Sequence, residues 1–147
     1  MDEWVILLIE DNSGDEELTL RALKKNKISN RVVVARDGAE ALDYLFARGA
    51  HAGRNPREIV QVVLLDLNLP KLSGLEVLAH IRADERTKLL PVVILTSSKE
   101  DKDLLGGYRG GANSYIVKPV DFTQFADAVR QLGMYWLVLN QPPLPMT

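Results

Sequence analysis

The sequence contains no cysteine, which removes disulfide cross-links, thiolate metal sites and cysteine nucleophiles from consideration. Its two histidines, His51 in a polar loop and His80 inside an amphipathic segment, have no partner at ligand spacing, so surface or packing roles are expected of them. No apolar run approaches the roughly 20 residues of a membrane span. The opening residues, Met1-Asp2-Glu3, are acidic where a signal peptide would be basic. A net charge of -2 over 147 residues offers no basic surface for nucleic acid or an anionic membrane. What remains is a soluble protein expected in the cytoplasm, with neither nucleic acid nor membrane as partner. Its length suits one domain that buries a core without cross-links.

What is present is a set of short apolar runs that end in chemistry. Val62-Val63-Leu64-Leu65 reads as a strand buried on both faces, and it stops at a single carboxylate, Asp66. Trp4 to Ile9 is a second such run and ends in Glu10-Asp11. Arg31 to Ala35 is a third, Leu90 to Leu95 a fourth ending at Thr96-Ser97-Ser98, and Ser114 to Val117 a fifth followed by Lys118-Pro119. Between them lie helical segments with capping pairs at their starts: Ser13 with Glu16, Asp37 with Glu40, Ser73 with Glu76, Ser98 with Asp101, and Asp121 with Gln124. The helix expected over Lys99 to Arg109 contains Gly106 and Gly107, each costing about 1 kcal/mol relative to alanine, so it should be the loosest.

Five alternations of strand and helix argue a parallel sheet with helices on both faces. Right-handed crossovers and short loops make a doubly wound, flavodoxin-like α/β order 2-1-3-4-5 the simplest topology. In that order Glu10, Asp11 and Asp66 converge at the carboxyl ends of adjacent strands, where open α/β sheets build their sites. We expect one domain over residues 1–138 and a tail over 139–147, with no repeat and no second domain.

Crowded carboxylates raise one another's pKa, and a divalent cation relieves the repulsion. Oxygen ligands without histidine or cysteine suit Mg²⁺, with Mn²⁺ as the alternative. Thr96 adds a hydroxyl and Lys118 a positive charge, each just past a strand end. Together these are what a transferring phosphoryl group needs, with Asp66 as the nucleophile. Taken singly, each has a plainer reading: Asp66 as a turn residue, Lys118 as a surface lysine, Thr96 as a strand-end cap, Glu10-Asp11 as acids favoured by a helix dipole. A dehalogenase-type phosphatase would need a second acid two residues after the nucleophile, and that position is Asn68.

Glu10-Asp11, Asp66 within LLDLNLPKLSG, Thr96-Ser97 after PVVILT, and Lys118-Pro119 within SYIVKP give the chain its likeness to a family. It resembles the response-regulator receiver domains of two-component signalling. The resemblance implies that Asp66 is phosphorylated by a histidine kinase, that Asp11 and Asp66 bind Mg²⁺ directly with the Asn68 carbonyl, and that Glu10 acts through water. It further implies that Thr96 and Lys118 bind phosphoryl oxygens, that Lys118-Pro119 is a cis peptide, and that Thr96 and Tyr115 form the switch. Thr96 would move toward the phosphoryl group and the Tyr115 ring would turn inward behind it. The catalysis implied is confined to self-phosphorylation and self-dephosphorylation. The polar loop Gly49 to Arg57 and the tail beginning Tyr135-Trp136 resemble small stand-alone receivers paired with bacterial phytochromes, which implies a homodimer that uses Tyr135 and Trp136.

Overall fold

The computed structural model describes residues 2–143. Five strands, β1 (Glu3–Ile9), β2 (Arg31–Ala35), β3 (Glu58–Leu65), β4 (Val92–Thr96) and β5 (Ser114–Val117), form one parallel sheet in the order β2-β1-β3-β4-β5. They alternate with α1 (Ser13–Lys25), α2 (Gly38–Leu45), α3 (Gly74–Ala83), α4 (Asp101–Arg109) and α5 (Phe122–Gly133).

Strand geometry sends successive side chains to opposite faces, and the core divides accordingly. Leu7, Ile9, Val63, Leu65, Val92 and Ile94 meet α2 and α3, whose Ala41, Leu42, Val77, Leu78 and Ile81 are buried against them. Ile6, Leu8, Val62, Leu64, Val93 and Leu95 meet Ala22 and Leu23 of α1 and Phe125, Ala126, Val129 and Leu132 of α5. Because both faces are covered, the strands read as continuous apolar runs rather than alternating ones.

Caps set most helix starts where the sequence placed them. Asp37, Ser73 and Asp121 accept from the backbone N–H three residues on, and Ser73 with Glu76 closes a full capping box. α1 differs: Asn12, not Ser13, caps it, accepting from the Asp15 N–H at 2.9 Å. α4 differs more, since Glu100 occupies its cap position without a side-chain bond. The glycines of α4 have a packing reason. A Cβ on Gly107 would lie 2.7 Å from Ile94 Cδ1 of β4, and one on Gly106 would lie 3.1 Å from Leu75 Cδ1 of α3, so α4 lies close to the sheet at Gly107 and to α3 at Gly106. Leu104, Leu105 and Tyr108 of α4 remain exposed.

The long loop after α2 is pinned. It forms a 3₁₀ turn at Gly49–His51, and Arg54 reaches back to donate to the carbonyls of Tyr44 (2.9 Å) and Glu58 (2.5 Å). Its guanidinium also lies over the Tyr44 ring, 4.2 Å from the centroid. α5 runs on into a wider π-helical stretch, Met134–Leu139, in which Tyr135 and Trp136 stack edge to face at 5.0 Å. Trp136 and Leu137 pack on the α1–α5 side of the core, whereas Met134, Tyr135, Val138 and Leu139 are exposed. Of the expected tail, residues 144–147 lie outside the described residues. Among the described residues no helix is long and apolar enough to cross a membrane.

Candidate functional site

β1 and β3 are neighbours in register, with Ile9 opposite Leu65, so the residues just past them, Glu10 and Asp66, arrive side by side. β4 and β5 pair Thr96 with Val117, which brings the Thr96 hydroxyl and Lys118 to the same end. The Thr96 Oγ1 donates to Asp66 Oδ1 at 2.8 Å, and the Asn68 N–H donates to the same oxygen at 3.2 Å. The other carboxylate oxygen, Oδ2, accepts from the Lys118 ammonium at 3.2 Å. Lys118 Nζ also bonds Glu10 Oε1, and Asp15 Oδ2 at 3.1 Å. Asp66, Glu10 and Thr96 are all buried, and the Lys118 side chain is 8% exposed.

The electrostatics sort these carboxyls into two kinds. Burial pushes Glu10 up to about 7, with the hydrogen bond from Lys118 opposing the rise and the neighbouring Asp66 charge adding to it. Burial also works to raise Asp66, but the Glu10 carboxyl, the Lys118 charge and the Thr96 hydroxyl outweigh it and hold Asp66 below the usual carboxylate value. Lys118 is penalised by burial, yet its carboxylate partners push it up to about 12. Of this coupled pair Glu10 holds a proton more readily than a free carboxyl, and Asp66 is the one favoured as the ionised form that a nucleophile needs.

The shift on Glu10 predicts a pH dependence. Between the unfolded value near 4.5 and the folded value of about 7, the folded protein retains a proton that the unfolded chain has lost. Stability must therefore fall as pH rises through that window. At about 1.4 kcal/mol per unit, the loss is on the order of 3 kcal/mol. Thermal melts in EDTA should show a lower melting temperature at pH 8 than at pH 5, and Glu10→Gln should flatten the difference. A Glu10→Gln profile parallel to the wild type would refute the assignment.

The set of candidate metal ligands gains a member here, and one backbone expectation is corrected. Asp11 is exposed and its carboxylate is not among those that converge, whereas its neighbour Glu10 is buried beside Asp66. The third carboxylate is Asp15, on the first turn of α1, which places ligand oxygens of Glu10, Asp15 and Asp66 within 4.8 Å of one another. The sequence signal for Asp15 was its position three residues after Asn12, hidden because Ser13 and Glu16 form an equally good capping pair. The Lys118-Pro119 peptide is trans, since the described residues contain no cis bond. Trans is the lower state of an X–Pro bond by about 0.5–1 kcal/mol, and Lys118 already reaches its carboxylates in that geometry.

Tyr115 and the dimer candidates stand in different settings. The Tyr115 hydroxyl donates to the Ser98 carbonyl at 2.9 Å, and its ring lies where a Cβ on Gly107 would come within 3.1 Å of it. Tyr135 is half exposed and Trp136 half buried, on the π-helical stretch far along the chain from the carboxylates.

An ionised carboxylate held by a hydroxyl and an ammonium at the carboxyl end of a parallel sheet marks a phosphoryl-accepting signalling switch rather than a classical enzyme. Comparison with known proteins agrees: residues 6–130 match the response regulator receiver domain, and the chain belongs to that family. It is 42% identical over 144 residues to the probable methanogenesis regulatory protein FilR2 of Methanothrix harundinacea, covering 98% of this chain and 90% of that one. The crystal structure of the phosphorylated cyanobacterial phytochrome response regulator RcpA superposes with a TM-score of 0.88 at 37% identity, covering 96% of this chain and 99% of that one. The bacteriophytochrome response regulator RtBRR is 50% identical, with a TM-score of 0.77 and coverage of 98% and 86%.

Proposed function

We propose that Asp66 accepts a phosphoryl group from a sensor histidine kinase of the phytochrome type, and that the chain relays the signal by changing a protein-contact face. The observation that carries this reading is the state of Asp66: ionised, buried, and held from both sides by Thr96 and Lys118. An Asp66 oxygen forms the new P–O bond while the P–N bond to the kinase histidine breaks, and the electron pair leaves with the imidazole. Thr96 and Lys118 then bond phosphoryl oxygens. The phytochrome assignment is supported by the similarity to RcpA and RtBRR.

A set of three hard carboxylate donors fits Mg²⁺, or Mn²⁺ in its place. Asp66, Glu10 and Asp15 would hold it, and the family resemblance adds Asp11 and the Asn68 carbonyl as further ligands. Bound there, the cation would supply positive charge to offset that of the transferring group. Lys118 and Thr96 orient the acceptor and stabilise the equatorial oxygens. The switch reading of Thr96 and Tyr115 is supported by the Thr96 bond to Asp66 and by the Tyr115 hydroxyl's bond to the Ser98 carbonyl. Homodimerisation through the α4–α5 side is supported by the exposed Leu104, Leu105 and Tyr108 and by Tyr135 beside Trp136. The protein would do this work in the cytoplasm.

The test is intact mass after incubation with Mg²⁺ and acetyl phosphate, with equilibrium sedimentation of the same samples. We expect a gain of one phosphoryl group, lost in Asp66→Asn and in EDTA, and a dimer at tens of micromolar. A gain that survives in Asp66→Asn would place the acceptor elsewhere. A monomer in every sample would remove the dimer.

A further inference from the structure

Ser98 stands two residues after Thr96, where a side chain could point at the acceptor or cap α4. It does not reach the acceptor: its hydroxyl donates to Asp103 Oδ2 at 2.6 Å, in the first turn of α4, and lies 3.5 Å from the Glu100 N–H that precedes that turn. The backbone of the same residue makes both remaining links of a chain. Its carbonyl accepts from the Tyr115 hydroxyl at 2.9 Å, and its N–H lies 3.4 Å from Thr96 Oγ1, which itself donates to Asp66. Asp66, Thr96, Ser98 and then both Tyr115 and Asp103 are thus joined by consecutive hydrogen bonds.

We propose that Asp103 is a positioning residue of the switch: by holding the Ser98 hydroxyl it fixes the β4–α4 turn in the shape that presents the Ser98 carbonyl to Tyr115 and the Ser98 N–H to Thr96. A hydrogen bond to an ionised carboxylate is stronger than a neutral one, and this one spans the turn that would otherwise be the least constrained, since α4 has no side-chain cap. Asp103 therefore ties the position of α4 to occupancy of Asp66. Gly107 of α4 also lies close to Ile94 and to the Tyr115 ring, so the helix and that ring share a contact surface beside the turn. This rests on the reading of Asp66, Thr96 and Tyr115 given above.

The experiment is titration with beryllofluoride, a tetrahedral phosphoryl mimic, at saturating Mg²⁺. Apparent affinity is reduced by the fraction of molecules lacking the binding-competent turn, so Asp103→Ala and Ser98→Ala should each bind about three- to tenfold more weakly. The double variant should be no weaker than either, and Asp103→Asn, which keeps an acceptor, should recover most of the affinity. In a Tyr115→Phe background, which lacks the hydroxyl that reads the turn, the further loss from Asp103→Ala should shrink to under about twofold. A purely local role in stabilising α4 would persist undiminished in that background and would overturn the proposal. So would binding by Asp103→Ala within about twofold of the wild type. Ser98→Ala serves as the check if Asp103→Ala unfolds. Failure of the wild type itself to bind would instead count against the function assigned to Asp66.

Discussion

Lys118→Met is expected to lower the stability of the metal-free protein at pH 8 by about 3–5 kcal/mol, the cost typical of removing one partner from a buried ion pair. Three carboxylates converge on this ammonium, and two of them, Glu10 and Asp66, are themselves buried. Without the lysine nothing among the described residues neutralises them. Two further readings separate this cause from lost packing, because methionine keeps the apolar stem. Removing a cation raises the affinity of Glu10 and Asp66 for protons, so the deficit should shrink as pH falls from 8 to 5 and the carboxyls become neutral. Mg²⁺ should also stabilise the variant more than the wild type, since the cation then supplies the missing charge. Chemical denaturation with and without EDTA at the two pH values gives all of these quantities. A pH-independent deficit, or none, would show that the cluster does not depend on Lys118.

Gly74→Ala is expected to be nearly as damaging, for a different reason. Gly74 opens α3 directly behind the acceptor, and its N–H bonds the Leu67 carbonyl at 2.9 Å. An added Cβ would collide with the Asp66 backbone carbonyl and lie 2.6 Å from Leu67 Cα. These are backbone atoms, so no side-chain rotation relieves the clash, and either α3 or the acceptor loop must move. Overpacking of this kind costs about 1–3 kcal/mol, equivalent to a melting temperature lower by roughly 4–12 °C for a chain of this size. The displaced segment carries Asp66, so phosphoryl uptake should fall even at temperatures where the variant is fully folded. Wild-type melting together with wild-type uptake would contradict the close approach.

Lys118→Met acts where residues distant in the chain meet, and this is also where sequence reading lost resolution. Strand identity was legible because each run is apolar throughout and ends abruptly, as Val62 to Leu65 does at Asp66. The caps at Asp37, Ser73 and Asp121 were legible because a cap is a bond between residues three apart. The same local logic failed where two neighbours could do the job. Asn12 took the cap that Ser13 was expected to supply, and Ser98 left α4 uncapped to bond Asp103.

The sequence by itself determined the order of elements, the doubly wound sheet and the set of residues delivered to its carboxyl edge, because apolar runs, turn residues and caps are short-range properties. Tertiary structure alone decided which carboxylates share the ammonium. Pairing of β1 with β3 brings Glu10 in beside Asp66 while Asp11 stays exposed, and the first turn of α1 carries Asp15 to Lys118. That outcome depends on the packing of α1, β1, β3 and β5 together, and no spacing along the chain encodes it.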